Sequence, residues 1–240
     1  MREVINNTYS ELVHNIESYF SQSTEIMHKA RNEIKIVEYQ GQKLVIKSFK
    51  RPNFINRIAY ALGKDSKAKK SYTYALQLDD CTPKPIAYIE FFKGSFVKQS
   101  YFIAEHFDYD FTIREVLLDP DFENREPIFQ AFATFTKVLH DKGILHHDYS
   151  PGNILIQQQN NTYTFKIVDI NRMQFKILSR QERVANFAKL WANEHDLEII
   201  MRYYSEDSED LKKAIAYSSA HKNKKKIKKK IKKLKEIFKK

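Results

Sequence analysis

The chain has 240 residues, 42% apolar and 30% charged, with a single cysteine, Cys81. That is enough for one large domain or two small lobes around a real core; it excludes a disulfide framework or a cysteine-built zinc site and suits a reducing compartment. The net charge of +11 sits at one end: residues 222–240, KNKKKIKKKIKKLKEIFKK, hold twelve Lys and one Glu, while the rest balances at 29 basic against 29 acidic. The opening MREVINNTYSELVHNIESYF carries charges and no long apolar core, so it does not read as a signal peptide. No run approaches the roughly 18 apolar residues of a membrane span, and the expected location is cytoplasmic.

In chain order, Val4, Ile5, Tyr9, Leu12, Val13, Ile16 and Phe20 recur at helical spacing and predict an amphipathic opening helix. Residues 33–39 alternate as a strand, 40–42 make a turn, and 43–49 follow as its hairpin partner. Residues 65–78 predict a helix capped by Asp65 or Ser66, with Ala68, Tyr72, Ala75 and Leu76 along one side. Residues 82–85 break the chain. Strands are then expected over 86–92 and 100–105, around Lys93-Gly94. After about Asp108 the pattern turns helical, with Ile128, Phe132, Phe135, Val138 and Leu139 on the helix 128–142. A short hairpin over 153–169 follows the next loop, turning at 158–162, and the rest to about residue 220 is helical. The whole predicts an α+β chain in two lobes: a small strand-rich N-lobe (1–107), a helical C-lobe (108–220) and a Lys-rich tail (221–240). A cleft between such lobes is a common ligand site.

The loop LHHDYSPGNILI, Leu145 to Ile156, packs two His, an Asp, a Pro, a Gly and an Asn between apolar flanks. Pro and Gly exclude a plain strand, so it reads as a functional loop between anchored segments. Asp148 and Asn153 stand five residues apart, and Asp169 ends the next apolar strand. Metal-assisted phosphoryl transfer to a hydroxyl needs this order: one carboxylate takes or orients the acceptor proton, while an amide oxygen and a second carboxylate hold Mg²⁺ against the phosphates. Lys47, in the strand motif VIKSF, is placed to steady the α/β-phosphates. Protein kinases show the same sequence of motifs; here they read V-I-K, H-H-D-Y-S-P-G-N and D-I-N. Alone, Asp148 is an ordinary turn former and Lys47 a solvated strand lysine; their common order with Asn153 and Asp169 favours catalysis. His146 and His147 have no third ligand at metal spacing. The abundant aromatics fit cores better than a nucleic-acid platform, so no specific nucleic-acid partner is expected.

GQKLVIKSFKRPNFINRIAY, TPKPIAYIE, HHDYSPGNILI and FKIVDINRMQF together resemble the bacterial lipopolysaccharide core (Kdo/heptose) kinases of the protein-kinase-like superfamily, in their short Bacteroidetes form, over roughly residues 1–200. The resemblance implies a two-lobed protein-kinase-like fold and ATP- and Mg²⁺-dependent phosphorylation of a sugar hydroxyl on a lipopolysaccharide core precursor. By it, Asp148 is the catalytic carboxylate, Asn153 and Asp169 bind Mg²⁺, Lys47 contacts the phosphates, and backbone at Glu105, His106 and Phe107 meets the adenine. His146 falls at the family's loop histidine, a structural position; His147 replaces the Arg of regulated protein kinases. Three departures stand out. HKARNE, before the first clear strand, has no glycine. The helix 65–78 has no Glu for Lys47, Thr73 standing in its place, so Lys47 needs another orienting acid. D-F-G becomes Asp169-Ile170-Asn171. These keep two alternatives open: a small-molecule phosphotransferase of aminoglycoside-kinase type, and a pseudokinase that binds nucleotide or membrane.

In the tail, Ile227, Ile231, Leu234 and Phe238 are spaced four, three and four apart, one apolar stripe on a lysine-rich helix. Such a helix suits the anionic inner face of the membrane, where a kinase of a lipid-anchored sugar must work. A solvated tail and a phosphate-driven nucleic-acid contact are the other readings. Deleting 222–240 is expected to leave the fold intact and to release the protein from anionic vesicles.

Overall fold

In the computed structural model, which describes residues 1–4, 7–29, 32–160 and 162–237, the opening segment is not one helix. It starts as strand β1 (Arg2–Val4), and the helical part is α1 (Ser10–His14) and α2 (Ile16–Gln22), with a break at Asn15. Ile5 lies outside the described residues. A period of three to four cannot exclude a short strand where an open sheet edge waits; β1 pairs antiparallel with β5 (Pro85–Lys93), Val4 opposite Tyr88.

The chain divides into two compact units. The first holds residues 1–108 and 167–171, the second 109–166 and 172–240. The first is built on a six-stranded sheet. Besides β1 and β5 it contains β2 (Ile26–Lys29), β3 (Glu33–Tyr39), β4 (Gln42–Phe49) and β6 (Phe96–Glu105), in the order β1-β5-β6-β4-β3-β2. β2 was not expected from the sequence, because its apolar residues Ile26 and Met27 are exposed and leave no inward pattern. The hairpin β3–β4 forms as the alternation predicts, with Ile36 opposite Val45. Since side chains alternate along a strand, β4 sends Leu44 and Ile46 to one face. There Leu12, Val13, Ile16 and Phe20 of α1 and α2 close a buried cluster with Ile89, Tyr101 and Ile103. Buried Lys35 of β3 fastens α2, its Nζ donating to the carbonyls of Phe20 (2.8 Å) and Ser23 (2.9 Å) at the helix C-terminus, where a cation is favoured.

The other face carries Lys47 and Phe49. It is covered by α3 (Phe54–Ala61) and α4 (Lys67–Leu78), with Ala68 and Tyr72 packed on Phe49, Tyr88 and Phe102. Ser66 caps α4 by accepting from the Lys69 amide. α3 had no counterpart in the sequence reading, and none of its residues is buried.

The second unit is organised around α6 (Arg125–Asp141), whose Ile128, Phe129, Phe132, Ala133 and Leu139 are buried. Before it come β7 (Phe111–Thr112) and α5 (Ile113–Leu118), the latter opened by a Thr112/Glu115 capping box. After it come β8 (Ile144–His146), β9 (Ile154–Gln159), β10 (Thr162–Ile167) and β11 (Met173–Phe175). They form a sheet of order β10-β9-β7 and a separate β8–β11 pair. Then follow α7 (Arg180–Asn186), α8 (Glu194–Tyr204) and α9 (Ser208–Ile237). α9 runs 30 residues without a break near 220, so the basic tail grows out of the last packed helix. Its root is held: His221 packs edge-on to Trp191, Lys225 lies over that ring, and Lys222 donates to the Ala192 carbonyl (2.7 Å). Ile227 and Ile231 are exposed; Phe238 lies outside the described residues.

Candidate active site

The loop after α6 is built from both sides. Gly143 turns the chain at φ +72°, and a Cβ there would stand 2.5 Å from the Lys176 carbonyl, so the tight entry into β8 demands glycine. β8 pairs with β11, Leu145 opposite Gln174, and the His147 amide donates to the Arg172 carbonyl (3.0 Å). Tyr149, the residue after Asp148, is 1% exposed; its ring lies 5.9 Å from Phe132 and its hydroxyl meets Thr136 of α6 at 2.8 Å. A buried aromatic thus nails the loop to the main helix while Asp148 stays accessible, its side chain 41% exposed.

Within the loop the backbone of Asp148 is fixed three ways. Its amide donates to His146 Nδ1 (3.0 Å), and its carbonyl accepts from the Ser150 amide (2.7 Å) and Asn153 Nδ2 (2.9 Å). The last bond links the two residues that spacing singled out. The group Asn153 can offer an ion is its amide oxygen, since an amide nitrogen has no free lone pair. The Asp148 carboxylate has Arg172 at 3.6 Å.

His146 is buried and accepts the Asp148 amide, which assigns it a structural role in shaping the loop. Sequence reasoning missed the support behind it. Asn186 donates to the His146 carbonyl (3.1 Å) and accepts from His140 Nε2 (3.1 Å). His140 Nδ1 in turn meets the Tyr204 hydroxyl at 2.7 Å. With Nε2 donating, a neutral His140 accepts from the Tyr204 hydroxyl at Nδ1, which completes a chain from α8 through α6 and α7 to the loop. Burial lowers the His140 pKa to about 4 and raises Tyr204 to about 12. A His depressed in the fold adds stability above its unfolded value near 6.5, and that stability is lost as pH falls towards 4. The whole contribution is about 3 kcal/mol. Urea denaturation at pH 7 and pH 4.5 is expected to show most of this loss, and His140→Asn should show a drop smaller by that amount.

Lys47 and Asp169 both belong to the first unit. Thr82 ties the Asp169 segment there by donating to the Ile167 carbonyl (2.7 Å). Asp169 takes a left-handed φ of 56°, sparsely used outside glycine and typical of functional positions. Its Oδ1 accepts from Lys47 Nζ at 2.5 Å and from Asn171 Nδ2 at 2.6 Å. Lys47, mostly buried, therefore has an orienting acid although its neighbouring helix lacks Glu. Thr73 does not take that part, since its hydroxyl bonds to the Lys69 and Lys70 carbonyls of its own helix. At the end of β6 the Glu105 amide donates to Lys84 and the His106 amide to Lys43. Among the described residues, the Phe107 amide makes no backbone hydrogen bond.

Asn153 and Asp169 are both oxygen donors, the chemistry a hard divalent cation selects. Among the described residues no group of three or more His, Cys, Asp or Glu gathers as a metal site.

A sheet with an inward lysine and an acid after the central hairpin, together with a helical unit bearing the Asp–Asn loop, define a protein-kinase-like fold. The sequence pattern of the lipopolysaccharide kinase (Kdo/WaaP) family matches residues 74–215, and the chain belongs to that family. The match includes Asp148, Asn153 and Asp169; Lys47 and the Lys-rich tail lie outside it. Among solved structures, the chain is similar to WaaP in complex with acyl carrier protein, at 15% identity and a TM-score of 0.58 over 93% of this chain and 98% of that one. At that identity the likeness establishes the fold alone. Among curated proteins, none matches the sequence.

Proposed function

We propose that this protein transfers the terminal phosphoryl group of ATP to a sugar hydroxyl, on Kdo or heptose, of a lipopolysaccharide core precursor at the cytoplasmic face of the inner membrane. The observation that carries this reading is the loop in which Asp148 and Asn153 are bonded to each other inside the segment the family pattern matches. Asp148 takes or orients the proton of the acceptor hydroxyl. Lys47 steadies the phosphates, Asp169 and Asn153 would hold Mg²⁺, and the backbone from Glu105 to Phe107 receives the adenine. The ion, when bound, neutralises charge that builds on the phosphoryl oxygens. The Lys47–Asp169 pair weighs against the pseudokinase alternative, because the acid missing from the helix is supplied elsewhere.

The test is acceptor-dependent phosphate transfer from Mg-ATP to purified core sugars, with Asp148→Ala as control. Transfer to soluble aminoglycosides instead would favour the small-molecule alternative; nucleotide binding without transfer to any acceptor would favour the pseudokinase.

The tail extends the reading to the membrane. Among the described residues no helix is long and apolar enough to cross a bilayer, so association would be peripheral. Lys222 and Lys225 brace the root of the tail, so the informative truncation removes 227–240 and spares them. Such a chain is expected to keep its thermal midpoint and to lose most of its co-sedimentation with anionic vesicles; unchanged binding would refute a membrane role for the tail. Acyl carrier protein, present in the WaaP complex, is a further candidate partner.

A further inference from the structure

α3 is mounted in reverse. A surface helix ordinarily turns its apolar stripe inward, whereas here Phe54 is 70% exposed, Ile55 77% and Leu62, just past the helix end, 83%. With Ile58 these fall within an arc of about 100° at helical spacing. The helix is seated on β6 by its other side, where the Arg57 guanidinium lies 4.8 Å over the Phe96 ring. From Lys50 to Lys64 the chain has four cations, Lys50, Arg51, Arg57 and Lys64, and no acid. The first acid beyond, Asp65, is paired with Lys69 at 2.6 Å. At the start of α3 a cavity of about 460 Å³ is lined by Lys50, Arg51, Lys67, Asn53, Asn56 and Tyr60 among others, a convergence of donors suited to an anion.

We propose that α3 is a lipid-docking helix, lying in the plane of an anionic bilayer. Phe54, Ile55, Ile58 and Leu62 enter the acyl boundary, and the Lys50–Arg51–Lys67 cavity receives a headgroup phosphate. Three observations select a bilayer over a protein partner. The apolar arc is flanked by cations at both ends, the arrangement of interfacial helices. Eight residues are too short to span a membrane yet long enough to lie on one. Four side chains are also far less than the roughly 1,200 Å² a specific protein interface needs. The inference does not rest on the tail, which belongs to the other unit.

The test uses the full chain with Leu62→Cys carrying an environment-sensitive fluorophore; the native cysteine, Cys81, is buried. Vesicles containing phosphatidylglycerol should raise and blue-shift the emission, and pure phosphatidylcholine vesicles should not. The triple variant Phe54→Ser/Ile55→Ser/Leu62→Ser, checked for folding by circular dichroism, should partition about tenfold more weakly. A silent fluorophore on protein that still sediments with the vesicles would overturn the proposal and leave the tail reading standing. A fluorophore that responds in a chain whose tail can be removed without loss of binding would support α3 and refute the tail. Emission that rises with acyl carrier protein and not with vesicles would overturn the bilayer assignment in favour of a protein partner.

Discussion

Asp148→Asn is expected to lower the rate of phosphate transfer by about 10²–10⁴-fold, the usual contribution of a positioned general base. The substitution keeps the size of the side chain and every backbone bond that shapes the loop: the amide to His146, and the carbonyl from Ser150 and Asn153. Only the carboxylate and its distant Arg172 contact at 3.6 Å are altered. Stability should therefore stay within about 0.5 kcal/mol of the parent, and KM for ATP should hardly move while kcat collapses. Steady-state kinetics with a core acceptor check the split. A near-parental kcat would show that the proton leaves by another route and remove Asp148 from its role.

Arg125→Leu should have the largest effect on folding. Asp196, its side chain 1% exposed at the start of α8, receives Arg125 Nη2 at 2.9 Å on both carboxylate oxygens. The same guanidinium donates through Nε to the Val116 carbonyl at the end of α5 (2.9 Å), so one side chain joins three helices. Asn193 completes the group by donating to Asp196 and capping α8. Removing the arginine strands a buried carboxylate, at a cost of about 3–5 kcal/mol, or roughly 10 °C in thermal midpoint for a chain of this size. Replacing both partners with leucine should recover part of the loss, because the desolvation cost of the charge disappears with it. A single variant that melts within about 2 °C of the parent would mean that water reaches Asp196.

Much of the site was legible in the chain because its signals are local. Polar residues between apolar flanks marked the loop, a spacing of five joined Asp148 to Asn153, and alternation drew the hairpin that carries Lys47. Where a local pattern had two readings, the fold chose between them: Val4 joined a strand because β5 offered an unpaired edge. β2 carries no inward apolar pattern, so alternation had nothing to report there; α3 does carry a helical apolar spacing, Phe54, Ile55, Ile58 and Leu62, which the sequence reading passed over.

By itself the sequence determined the kinase-like order of motifs, the charge balance of the body and the basicity of the tail, since each depends on residue type and near spacing. Tertiary structure alone decided which acid orients Lys47, because Asp169 lies 122 residues further along the chain. It also decided that His140 and Asn186 stand behind the loop that carries Asp148, and that α3 turns its apolar side outward. These outcomes depend on which surfaces meet when helices and strands pack, and packing partners far apart in the chain leave no periodic trace in it.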